Sequence, residues 1–327
     1  MSEGKRATPT SIKQVFITGI KVCLSGFLIF FLLSRIGVDQ LLRQVTQANP
    51  WCIVASILIF MTSNILGAVQ WHLLLKSRHV NLSLWQVIKF YHVGLFFNNF
   101  LIGYVGGDAF RIYDIKKQSG DLNGALTTVL FDRFIGFLAM STLAMIVTLF
   151  WLKHLSSRIT VYTIIIVFIV WAAGLFFLFQ ERTAKKFSWL FKLFLPKFVH
   201  IKLKEIYYEL NQFRHQRSLL LQIFLIAFSV QTLRIITHYF AALAVGVKTE
   251  LYYFFIFIPI IALVASLPIS LGGIGVREQS GVTLFSQVGV LPAEIVAFEF
   301  IAYLVGILAT IPGGLIFAVR KDHNKIQ

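Results

Sequence analysis

Apolar residues in this chain fall into long continuous runs rather than into the three-to-four spacing of an amphipathic helix or the alternation of a strand. Eight such runs cover residues 15–33, 51–75, 84–104, 124–152, 159–179, 219–245, 251–270 and 293–319. A run of about 20 apolar residues is the length of helix that crosses a bilayer core of about 30 Å. The pattern predicts an all-α polytopic membrane protein: a single membrane domain over residues 15–319, a basic leader over 1–14 and a short tail over 320–327. The first run follows Lys5, Arg6 and Lys13 and looks like a secretion signal. It is long for one, and Phe31, Leu32 and Leu33 followed by Ser34 and Arg35 lack the small-x-small cleavage pattern, so it reads as a retained signal anchor.

Basic residues decide how many runs cross. If all eight span with the N-terminus inside, the inner connections hold 11 Lys and Arg and the outer ones 15, against the rule that basic loops stay inside. If the third and seventh runs enter and leave on one side, six runs span and the division becomes 21 inside to 6 outside. Local sequence agrees. The third run contains Asn98 and Asn99 and leads into Gly106 and Gly107, while the seventh contains Pro268 and leads into Gly272, Gly273 and Gly275. Broken backbone at membrane depth is tolerated where protein or a wet cavity satisfies its amides. The two breaks also match: Gly106-Gly107 with Arg111 and Gly272-Gly273 with Arg277 are 166 residues apart at all three positions. The expectation is therefore six spanning and two re-entrant segments in an inverted-topology repeat, residues 15–152 and 159–319, with both termini cytoplasmic in a multi-pass cell (inner) membrane protein.

Composition narrows the function classes. With 57% hydrophobic and 13% charged residues and a mean hydropathy of +0.78, there is no stretch for a separate soluble catalytic domain. The net charge of +16 belongs to topology, not to a nucleic-acid partner. Nine basic residues lie in the connection 181–218, and over 185–217 they interleave with aromatic and aliphatic residues, the pattern of a helix lying on an anionic inner leaflet. Cys23 and Cys52 show no paired spacing, and eight histidines show no metal-binding spacing. Nucleotide-binding glycine patterns are also absent, so neither metal nor cofactor is implied.

The sharpest chemistry is charge inside the runs. Asp132 and Arg133, Arg234 and Glu299 lie well inside apolar segments, where one ionised side chain costs at least about 2.5 to 3.5 kcal/mol. Asp108 and Arg111 stand beside the first glycine pair, Arg277 and Glu278 beside the second. One reading makes the arginines a phosphate-binding set, since the guanidinium fork matches phosphate oxygens, with the carboxylates as counter-charges or proton carriers. The other makes them buried ion pairs that fix helix register.

Gly106-Gly107-Asp108 with Arg111, Asp132-Arg133, and Pro268 with Gly272, Gly273, Gly275 and Glu278, in this order, resemble the flippase-like transmembrane region of lysylphosphatidylglycerol synthases. The resemblance covers roughly residues 12–320. Ile102 stands where a proline often precedes the first glycines, and Asp132 where glutamate is commoner. The resemblance implies a non-enzymatic translocase for an anionic or modified phospholipid or a lipid-linked precursor, with Arg111, Arg133, Arg234 and Arg277 at the headgroup. Synthase chemistry is not implied, because it resides in a soluble domain of the longer members. Two alternatives stay open: a membrane-embedded transferase acting on a lipid-linked substrate, and a scaffold for an envelope-synthesis protein partner.

Overall fold

The computed structural model describes residues 38–99, 105–154, 158–180, 207–208, 211–267, 270 and 273–319. The leader, the first apolar run, Pro268, Gly272, most of 181–218 and the tail lie outside the described residues. The described ones form ten α-helices and no strand: α1 (Val38–Thr46), α2 (Pro50–Ser77), α3 (Leu84–Asn98), α4 (Val105–Ser119), α5 (Leu122–Trp151), α6 (Arg158–Phe179), α7 (Arg217–Ala244), α8 (Leu251–Ser266), α9 (Val276–Phe285) and α10 (Pro292–Val319). Helices α2, α5, α6, α7 and α10 are each long and apolar enough to cross a membrane, which makes the chain a polytopic all-α membrane protein. Leu58, Ile166, Leu221 and Leu315 are exposed on these helices, as an apolar solvent around the bundle requires.

The third and seventh runs do not form long helices. α3 has 15 residues and α8 has 16, which at about 1.5 Å per residue falls short of the hydrocarbon core. Each turns back into a further helix, α4 or α9, in stretches the hydropathy pattern reads only as connections. Local chemistry explains both. α4 has Asp108 in its first turn and Lys116 and Lys117 in its last, each at the end of the helix dipole that favours it. α9 starts at Gly275, whose φ of 83° suits glycine and whose N–H donates to Glu278 Oε2 at 2.6 Å.

The two halves pack as antiparallel helical hairpins. In the first, Asn98 Oδ1 accepts from Gly107 N–H at 2.8 Å, and a Cβ on Gly107 would collide with the Gly94 carbonyl. In the second, Gly273 lies against Ala265, while Phe285 packs on Phe254 and Phe257. Small residues allow the approach of backbones that dispersion requires where lipid offers no hydrophobic drive.

The long helices set the orientation of the hairpins. α2 packs most extensively on α7, and the two run antiparallel: Asn49 N–H donates to Ala244 O at 2.8 Å at one end, and Arg78 donates to Gln212 at 2.6 Å at the other. The first hairpin follows the C-terminus of α2 and the second follows the C-terminus of α7, so they enter the bundle from opposite ends. Their partners are exchanged as well: α3 lies on α10, and α8 lies on α5. Gly313 permits the first of these contacts, because a Cβ there would strike the His92 carbonyl. Such a pattern of swapped, oppositely directed units is the arrangement expected of an inverted repeat.

Candidate functional site

Charged side chains gather where each hairpin meets the long helix that follows it. In the first unit, α4 and α5 bring Asp108, Arg111, Asp132 and Arg133 into one network. Arg133 forks onto Asp108, with Nε to Oδ2 at 2.8 Å and Nη2 to Oδ1 at 3.0 Å. Arg111 bridges the two carboxylates, Nη1 to Asp108 Oδ1 at 3.2 Å and Nη2 to Asp132 Oδ2 at 2.9 Å. Gln70 of α2 donates to the other oxygen of Asp132 at 2.8 Å. The guanidinium of Arg111 also lies 4.1 Å from the Trp71 ring centre and 4.7 Å from that of Tyr91. Arg111 is 2% exposed, and its Nε is buried without a hydrogen-bond partner. Arg133 differs, because 29% of its side chain stays accessible despite its ion pair.

The second unit holds its buried carboxylate differently. At the 166-residue offset of the glycines, Glu299 stands opposite Arg133 and His238 opposite His72. Glu299 is 0% exposed, and neither carboxyl oxygen has a hydrogen-bond partner. Its ion-pair contact is His238 Nδ1, 3.5 Å from Oε2. Glu278 is buried and accepts from its own cap, while the Arg277 guanidinium lies 5.3 Å from the Tyr303 ring centre. The structure therefore gathers the second-half residues Arg277, Glu278 and Glu299 around the α9–α10 contact, as it gathers their counterparts around α4–α5.

Arg234 belongs to the interior between the units. Its Nε is buried without a hydrogen-bond partner, and among the described residues it forms no ion pair. α5 and α7 run parallel and meet where Gly136 faces the Gln231 amide, 3.3 Å from where a Cβ would stand. Arg133 lies one turn before Gly136 and Arg234 one turn after Gln231, on the faces the two helices turn toward each other. Asn64, midway along α2, is wholly buried with both amide atoms unpartnered.

The turn residues divide. Asn98 holds Gly107, and Asn99 donates to Thr310 Oγ1 of α10 at 2.7 Å, tying the first hairpin to the opposite unit. Gly106 opens α4 and Gly273 and Gly275 have positive φ, while Pro268 and Gly272 lie outside the described residues.

This combination, two glycine-paired hairpins each set against a charged helix, occupies most of the region that matches a known family. Residues 19–314 match the family described as the lysylphosphatidylglycerol synthase TM region. The chain belongs to that family. Other members of this transmembrane-region family include a UPF0104 membrane protein of Pyrococcus horikoshii, 26% identical over 312 residues that cover 88% of this chain and 93% of the relative. A UPF0104 membrane protein of Methanothermobacter thermautotrophicus is 26% identical over 333 residues, 94% of this chain and 93% of the relative. Membership in the lysylphosphatidylglycerol synthase transmembrane-region family accords with a multi-pass membrane protein.

Gln70, Trp71, Tyr91, His238 and Asn64 escape a search for charges because each is an ordinary tenant of an apolar helix. The half-chain offset of 166 residues does not find them: carried from the glycines to the helices, it sets Thr237 opposite Trp71 and Glu299 opposite Arg133.

Proposed function

We propose that the protein is a lipid translocase that moves an anionic or modified phospholipid, or a lipid-linked precursor, between leaflets of the inner membrane, without enzymatic turnover. The observation that carries this reading is Arg234, a half-buried cation between the two units whose Nε is buried without a hydrogen-bond partner and which has no ion-pair partner among the described residues. Leaving a buried polar group unsatisfied costs about 1 to 3 kcal/mol, and more for a charged one. An anionic headgroup would repay that cost. Arg133, partly accessible on the facing helix, supplies a second guanidinium, and the two together suit a phosphate.

In this reading Asp108 holds Arg133 by its fork until phosphate displaces it, and Arg111 with Asp132 keeps Asp108 in place. Arg277 would meet the headgroup from the opposite hairpin. The hairpins would re-enter the membrane from opposite sides, so that exchange of their packing opens the arginines to one leaflet and then the other. The basic segment 185–217 would hold the connection on an anionic inner leaflet.

The test is movement of fluorescent phosphatidylglycerol in liposomes containing purified protein, with mass spectrometry of the same lipid. Movement of lipid of unchanged mass, lost in Arg133→Ala and Arg234→Ala proteins that remain folded, supports the reading. A changed mass would favour a membrane-embedded transferase. No movement across several headgroups would remove the transport function.

A further inference from the structure

The two units differ in how a buried carboxylate is held. Asp132 is fully engaged by Arg111 and Gln70, so its charge is compensated and the first hairpin is locked to α5. Glu299 is the wholly buried carboxylate of the second unit, yet both oxygens lack hydrogen-bond donors and its ion-pair contact is a histidine at 3.5 Å. A carboxylate wholly buried beside an imidazole is a pair able to hold one proton in a place where a bare negative charge is costly.

The surroundings of Glu299 can be followed helix by helix on the elements packed against α10. α7 presents His238, with Arg234 one turn before it. α9 brings Glu278 and Arg277, and the added Cβ of Gly281, one turn beyond Glu278, would stand 3.5 Å from Glu299 Cγ and 3.9 Å from its Oε1. α3 contributes Lys89 and His92. The His92 carbonyl lies against Gly313, 14 residues or about 21 Å along α10 from Glu299. α2 carries His72 and Lys76 in its C-terminal part, whereas the level of His238 is set near the N-terminal part by Ser56, which donates to Thr237 O at 2.9 Å. α1 carries Asp39 and Arg43, both exposed. The groups that act on Glu299 are thus His238, Arg234, Glu278 and Arg277.

We propose that Glu299 and His238 form a proton-binding site that controls how closely the second hairpin packs on α10. One proton taken from water adds to the pair, residing on the Glu299 carboxyl with His238 Nδ1 as its hydrogen-bond acceptor, and no other bond is made or broken. Protonation cancels the repulsion between Glu299 and Glu278 and draws α9 onto α10 at Gly281. Release of the proton restores two neighbouring carboxylates and separates the helices. The first hairpin, held by Arg111, has no such response. As the coupling step of a transport cycle this rests on the lipid-translocase reading, whereas the proton site itself does not.

The experiment has two arms on the full chain in liposomes of phosphatidylethanolamine and phosphatidylglycerol. Infrared difference spectra between acidic and alkaline buffer should show the C=O stretch of a buried carboxylic acid, lost in Glu299→Gln and shifted in Glu299→Asp. In His238→Gln the band should persist with a displaced titration. An unchanged band in both Glu299 variants overturns the proposal, and wild type supplies the reference band if Glu299→Gln proves unstable. In the second arm, fluorescent phosphatidylglycerol movement should change several-fold when a pH gradient is imposed on wild type, and should ignore the gradient in Glu299→Gln. Movement that ignores the gradient in wild type overturns the coupling. A titrating band in a protein that moves no lipid supports the proton site and counts against the lipid reading alone.

Discussion

Arg111 and Arg133 are the same residue type, yet their surroundings give them different work. Arg111 is clasped by two carboxylates and two aromatic rings, so its removal leaves Asp108 and Asp132 under-compensated in a buried network. Breaking a buried ion pair from one side costs about 3 to 5 kcal/mol. Arg111→Ala is therefore expected to lower the thermal unfolding midpoint in detergent sharply. Lysine at the same place should rescue only part of the loss, since it has neither the fork nor the planar face. An unchanged midpoint would show that the network contributes nothing to the fold. Arg234→Gln is expected to leave the midpoint unchanged or raised, because it removes a half-buried charge that has no ion-pair partner among the described residues. The presence of these charges was legible in the sequence, as was the pairing of acidic with basic types. Their division into satisfied and unsatisfied groups was not, because it depends on neutral neighbours such as Gln70 and Trp71, whose identity announces no role until the helices are packed.

At the scale of elements, the breaks after α3 and α8 were readable from Asn98, Asn99 and the glycines, because helix breakers inside an apolar run leave backbone groups that need partners. The helices beyond them were not. Val105–Ser119 is too polar to register as an apolar run, and it folds as a helix because Gly94 and Gly107 let it lie directly against α3. Gly107→Leu is expected to force the hairpin apart, since even a Cβ meets the Gly94 carbonyl. Folded yield after detergent extraction should fall several-fold, and the same replacement at exposed Gln118 should leave it near wild type. Equal yields would refute the close approach. Gly313→Leu tests the contact of α3 with α10 in the same way, through the His92 carbonyl.

For the whole molecule, hydropathy gave the polytopic all-α fold, and the half-chain offset of the glycines predicts oppositely directed units. Oppositely directed units require the connection after the first hairpin and the one after the second to face opposite sides of the membrane. Cysteines placed at exposed Gln118 and Gln287, in a protein with Cys23 and Cys52 replaced by alanine, are expected to react with an impermeant maleimide from opposite sides of oriented vesicles. Labelling of both from one side would contradict the inverted arrangement. The expected orientation rests on the distribution of Lys and Arg, which hydropathy alone does not supply, and the balance of 21 to 6 predicts Gln118 on the inner side.

The central claim is that an unpaired cation between the two units receives a lipid headgroup, and its most direct test is charge rescue at Arg234. Fluorescent phosphatidylglycerol is placed in both leaflets of liposomes, and the fraction reached by an impermeant reductant is measured for wild type, Arg234→Lys and Arg234→Gln. The account predicts that wild type exposes the inner-leaflet pool, that the lysine variant does so more slowly, and that the glutamine variant leaves the pool protected at an unchanged unfolding midpoint. Equal exposure by wild type and the glutamine variant would contradict it.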